Sequence, residues 1–176
     1  MIQHAIRILP ALLALAAGIT DWRSRRIPNW LTVPAAVIGI VVSTWLRGWA
    51  GAKDSLWGLG LGLLLLLPFV LLRSLGAGDW KLVGALGAFL GPGNLVTVLF
   101  ATVLVAGLMA LLLVIWQRRL VHTLKNIGRL LAALFSLHLP GQELTIDDPK
   151  SAKVPFGVAV AVAVIVYTAR QALGFL

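Results

Sequence analysis

What most constrains this chain is a succession of apolar runs, several long enough to cross a bilayer, separated by short segments that hold nearly all of the charge. A helical crossing needs about 20 mostly apolar residues. Lipid offers the backbone no hydrogen-bond partners, so only helices and closed barrels can span it. With 60% of its 176 residues hydrophobic, the chain is predicted to be an all-α polytopic membrane protein of about six transmembrane helices. The spacing places these at the N-terminus to about residue 20, at 31–46, at 56–72, from near Trp80 to Gly91-Pro92-Gly93, at 94–116, and in a last run ending near Arg170.

The predicted fourth helix is short, about a dozen residues or roughly 18 Å, against a hydrocarbon core of about 30 Å. Its Gly-Pro-Gly end therefore has to be surrounded by protein rather than lipid. Gly84, Gly87, Ala88 and Gly91 supply small faces for that packing, and Gly58, Gly60 and Gly62 in the preceding run read as close helix packing. A nucleotide-binding loop would need a strand before it, and none is predicted. Asp21 to Trp30 is expected to be a surface loop, residues 47–55 a short turn, and Pro34 a first-turn proline. The N-terminal run has an Ala-Leu-Ala resembling a signal-peptidase site, but only Arg7 precedes it as a fixed positive charge, so it is read as a helix.

Beyond Trp116 the pattern changes. Arg118, His122, Lys125 and Arg129 follow one helical stripe and Leu120, Leu124, Ile127, Leu131 and Leu134 the opposite one, as in a helix lying on anionic headgroups. Residues 1–176 are read as one membrane domain, with this amphipathic helix and its following loop at about 117–153 on the cytoplasmic side.

The net charge of +9 could indicate nucleic acid, but the basic residues border apolar runs instead of forming a basic domain. The segments after the first, third and fifth spans carry eleven of the fifteen Lys and Arg residues, and the other side carries Arg7, Arg47, Lys53 and Arg170. The positive-inside rule then places the N-terminus outside and the odd loops in the cytoplasm. All seven tryptophans fall at span ends, as interfacial anchors do. The expected partners are membrane lipids and a protein substrate, with no nucleic acid and no oligomeric state specified.

No cysteine is present, which removes disulfides, thiolate metal sites and thiol nucleophiles, and His4, His122 and His138 lack metal-site spacing. No metal or cofactor is expected. Only six acidic residues are present. Asp79 lies in Gly76-Ala77-Gly78-Asp79, between two apolar stretches, where a charge at mid-bilayer would cost roughly 2.5–3.5 kcal/mol. Its glycine frame permits a sharp bend and close approach, and the following helix offers its N-terminus to the carboxylate. The topology puts Asp21 on the same cytoplasmic face. Two carboxylates brought together resist double ionisation, so one holds a proton while the other stays charged. Such a pair can activate water and protonate a peptide carbonyl. The plainer reading makes Asp21 an interfacial acid paired with Arg23 or Arg25 and Asp79 a helix cap.

These residues carry a resemblance. Asp21 followed by Arg26-Ile27-Pro28-Asn29, then Gly76-Ala77-Gly78-Asp79-Trp80-Lys81-Leu82 with Gly84-Ala85-Leu86-Gly87, and Val154-Pro155-Phe156-Gly157 before the last span, resemble the type IV prepilin peptidases, GxGD membrane aspartyl proteases. The resemblance implies cleavage of prepilin leader peptides at the cytoplasmic face of a bacterial or archaeal membrane, after glycine and before a hydrophobic helix. Asp21 and Asp79 match the catalytic pair. Gly76, Gly78, Lys81, Pro28, Asn29, Pro155 and Gly157 would frame the site. Larger members carry a cysteine-bearing methyltransferase region, so this chain is similar to the short peptidase-only branch. Trp80 departs from the smaller aliphatic residue common after the second aspartate, a difference that bears on substrate fit.

Leaders in this family are basic, so Glu143, Asp147 and Asp148 are candidate leader-binding residues that could offset Arg23, Arg25 and Arg26 beside Asp21. The same residues also suit a related GxGD protease with another precursor, and a transporter or assembly scaffold would use the acids for ions or packing.

Overall fold

The structure is a computed structural model, and it describes residues 2–72, 74–116 and 155–173, with side chains from residue 8 onward. It divides into two compact units, Met1–Ala106 with Pro155–Leu176, and Gly107–Val154. The described residues form four helices: α1 (Ile2–Ser24), α2 (Asn29–Leu71), α3 (Ala77–Trp116) and α4 (Phe156–Ala172). The amphipathic segment at 117–153 lies outside the described residues.

Two helices, α2 and α3, are long and apolar enough to cross a membrane. Each is broken once by a glycine with positive φ, Gly48 (φ 59°) in α2 and Gly91 (φ 73°) in α3. Only glycine adopts these conformations without steric cost. At Gly48 the chain reverses, because Ser43 and Ser55, on either side of it, both donate to the carbonyl of Ala88. Beside Gly62 lie Val83 and Leu95, from the two sides of Gly91, so that break also folds the helix back.

The Ala88 carbonyl needs those donors for a covalent reason. Its ordinary helical partner would be the N–H of residue 92, and Pro92 has none. Ser55 (2.7 Å) and Ser43 (3.3 Å) fill the vacancy inside the core. Close packing around this point uses the small residues: Gly58 and Gly87 meet backbone to backbone, Gly39 lies on Ala88, and Gly84 faces Leu63, whereas a Cβ at Gly60 would meet nothing within 4 Å.

Several boundaries differ from those expected. Helix α1 continues through Asp21 to Ser24, so the aspartate sits in a helical turn and not in a loop. Arg25, with φ 52°, ends that helix, its N–H donating to the Asp21 carbonyl. The turn expected at 47–55 shrinks to Gly48 because Gly51 lets the returning helix press on the Ser43 carbonyl. Pro34 falls beyond the first turn, inside α2, since that helix starts at Asn29.

The core consists of Ala14 and Ala17 of α1, Leu82, Val83, Ala85, Leu86, Leu95 and Val98 of α3, and Val160 and Val164 of α4. Outside it the helices are covered with exposed leucine, isoleucine, valine and phenylalanine, and six of the seven tryptophans are exposed. This is the apolar surface of a chain suited to lipid. Trp80 is the exception: it is half-buried, and its indole N–H donates to the Leu63 carbonyl at 2.7 Å.

Candidate active site

Three helix ends converge on the two aspartates: the end of α1 and the starts of α3 and α4. Asp21 is buried, 6% exposed, one turn before the end of α1. Its Oδ2 accepts the backbone N–H of Gly157, the second residue of α4, at 2.8 Å. The first-turn amides of a helix have no partner within the helix and favour a negative charge, so α4 points its free N–H donor at this carboxylate. A side chain at Gly157 would leave no space, because a Cβ there would lie 2.9 Å from the Asp21 Cβ and 3.1 Å from Ile27 Cδ1.

Asp79 is held in a related way within its own helix. The Gly76 carbonyl accepts the Trp80 N–H at 3.2 Å, which makes Gly76 the N-cap of α3 and Asp79 its third residue. From there the Asp79 carboxylate turns back on Gly76, its Oδ2 lying 3.0 Å from where a Cβ at Gly76 would stand, in the manner of the reach-back residue of a capping box. The plainer reading, that Asp79 caps its helix, is consistent with its place against Gly76. It does not describe the whole site, because the Asp79 carboxylate is also within electrostatic range of Asp21.

Ile27 joins the two halves. Gly78 lies against the Ile27 backbone, where a Cβ would stand 2.8 Å from its carbonyl oxygen, and the Ile27 side chain reaches Gly157. Pro28 starts α2 as its N-cap, Pro155 does the same for α4, and Lys81 Nζ donates to Asn29 Oδ1 at 3.0 Å. Asp21, Gly157, Gly76, Asp79, Gly78 and the Lys81–Asn29 pair are therefore brought into one constellation at the helix ends.

With this geometry, a buried Asp21 and a half-buried Asp79 lie within electrostatic range of each other at the ends of apolar helices. A model of the type IV leader peptidase family matches residues 8–111, more than half of the chain and inclusive of both aspartates. The chain belongs to the type IV leader peptidase family. As a type IV leader peptidase it is a hydrolase of the protease class. The matched stretch ends within α3, so Gly157, which holds Asp21, is contributed by a helix beyond it. No curated protein and no solved structure gives a match to this type IV leader peptidase.

The sequence places Ile27 between Arg26 and Pro28 without giving it a role; its part in the site comes from the contacts it makes with Gly78 and Gly157. Among the described residues no group of three or more His, Asp or Glu side chains gathers that could hold a metal ion. Glu143, Asp147, Asp148, His122 and His138 lie outside the described residues, as does the side chain of His4.

Proposed function

We propose that this chain is a membrane-embedded aspartic endopeptidase that removes the basic leader of type IV prepilin-like proteins at the cytoplasmic membrane face, with Asp21 and Asp79 as its catalytic pair. The observation that carries this reading is that two carboxylates on separate helices come within electrostatic range of each other, Asp21 held by the Gly157 N–H and Asp79 lying against Gly76. The charged carboxylate takes a proton from water as the water oxygen bonds to the scissile carbonyl carbon. The protonated carboxyl gives its proton to the carbonyl oxygen. Collapse of the tetrahedral intermediate breaks the C–N bond, with a proton passing to the leaving nitrogen, and the pair returns to one shared proton.

Six crossings fit the helix lengths. Split at Gly48 and Gly91, the long helices give segments of about 28, 34, 21 and 37 Å at 1.5 Å per residue, to which α1 and α4 add two more. The shortest, residues 77–90, is buried along most of its length by its neighbours, as a segment falling short of the bilayer must be. In this arrangement the N-terminus is outside and the aspartates face the cytoplasm, in a bacterial or archaeal cytoplasmic membrane. Glu143, Asp147 and Asp148 would steer the basic leader towards the site.

The test is cleavage by the purified full chain of candidate precursors, each with a basic leader before an apolar helix, followed by mass measurement of the new N-terminus. A cut between leader and helix that persists in a metal chelator is expected. Failure to cut any such precursor, with cleavage of an unrelated precursor class, would replace prepilins as the substrate.

A further inference from the structure

Among the described residues, one buried side-chain polar atom has no hydrogen-bond partner: Thr32 Oγ1, in a residue only 1% exposed. Every other described threonine bonds its hydroxyl to a carbonyl in the preceding turn of its helix. Thr20 donates to Ala17, Thr44 to Ile40, Thr97 to Gly93, Thr102 to Val98 and Thr168 to Val164. This local bond is the ordinary fate of a helical threonine. For Thr32 the corresponding acceptors are the carbonyls of Pro28 and Asn29; that of Pro28 receives the backbone N–H groups of both Leu31 (3.1 Å) and Thr32 (3.4 Å), and neither takes the Thr32 hydroxyl. At the start of α2 the Thr32 hydroxyl is thus left buried and without its usual partner.

Its position gives that hydroxyl a use. Thr32, Gly39 and Ser43 form the buried stripe of α2, and the contacts of Gly39 and Ser43 with Ala88 show that this stripe faces α3. The two segments start together and run parallel: Ile27 meets Gly78, Asn29 meets Lys81 and Gly39 meets Ala88. Thr32 is three residues into α2, and Asp79 is two residues into α3, so both lie in the first turns of parallel, contacting helices. A buried hydroxyl without a protein partner is the kind of group that holds an internal water.

We infer that Thr32 is a positioning residue of the peptidase, its hydroxyl anchoring a buried water at the α2–α3 seam that orders the hydrolytic water at the aspartate pair. This rests on the proposed aspartic mechanism. It predicts an effect on turnover rather than on substrate binding, because the group touched is water and not peptide.

The test compares Thr32→Val, which keeps the shape and removes the hydroxyl, with Thr32→Ser, which keeps the hydroxyl. Each is assayed as the purified full chain on a precursor that the wild type cleaves. Thr32→Val is expected to lower kcat about tenfold or more, with KM within about twofold and Tm close to wild type, while Thr32→Ser retains most of kcat. A Thr32→Val enzyme with wild-type kcat overturns the inference. So does loss of activity in both variants together with a fall in Tm, which marks Thr32 as a packing residue. If the wild type cleaves but the Asp21→Asn and Asp79→Asn variants do so equally well, the aspartic mechanism has failed first, and the inference about Thr32 falls with it.

Discussion

Gly157 donates its backbone N–H to Asp21 Oδ2 at 2.8 Å, joining two residues 136 positions apart in the chain. The bond requires a glycine for steric rather than conformational reasons, since a Cβ at 157 would collide with Asp21 and Ile27 at once. Gly157→Ala is therefore expected to displace the Asp21 carboxylate while leaving α4 helical. A displacement of about 1 Å in such a site costs on the order of 100-fold in rate. Steady-state kinetics on a cleaved precursor, beside helicity by circular dichroism, would check it; undiminished kcat would mean that the Gly157 contact does not position the reacting group.

The Ala88 carbonyl offers a test of stability away from the site. Ser55→Ala alone leaves Ser43 as a donor, and Ser43→Ala leaves Ser55. The double variant abandons a buried carbonyl, which costs about 1–3 kcal/mol. The loss of thermal stability in the double variant should therefore exceed the sum of the single losses. Additive losses would show that the two serines act independently of that shared acceptor.

The proposed topology makes a separate demand. Ser24 and Ser74 are both exposed, one beyond Asp21 on α1 and one before Gly76. Since the chain contains no cysteine, Ser24→Cys and Ser74→Cys provide unique thiols. Both should react with a membrane-impermeant reagent in inside-out vesicles and stay protected in right-side-out ones. Labelling from opposite faces would separate the two aspartates across the membrane and end the proposed pair.

Much of the helical order and the convergence of the glycine-framed aspartates were legible in the sequence. The apolar runs carry their own physical signal, and a charge between two of them calls for an explanation. The extent of each helix was less legible. Asp21 reads as the start of a polar loop by composition, yet helical hydrogen bonding carries α1 on to Ser24. Residues 47–55 look like a turn because they are mixed in polarity, whereas a single positive-φ glycine is enough to reverse the chain. Neither the junction role of Ile27 nor the unpartnered hydroxyl of Thr32 follows from residue type, because both depend on which helix ends meet in space.

The central claim is that Asp21 and Asp79 act together as the proton-transferring pair, and the most direct measurement is the mass of a co-expressed precursor in the presence of Asp21→Asn or Asp79→Asn. An amide can neither accept the proton of water nor exchange the shared one. Each variant, inserted in the membrane at wild-type level, is expected to leave the precursor at its full-length mass, while the wild type yields the mass of the chain without its leader. Appearance of the mature mass with either variant, at a rate near that of the wild type, would contradict the two-aspartate mechanism.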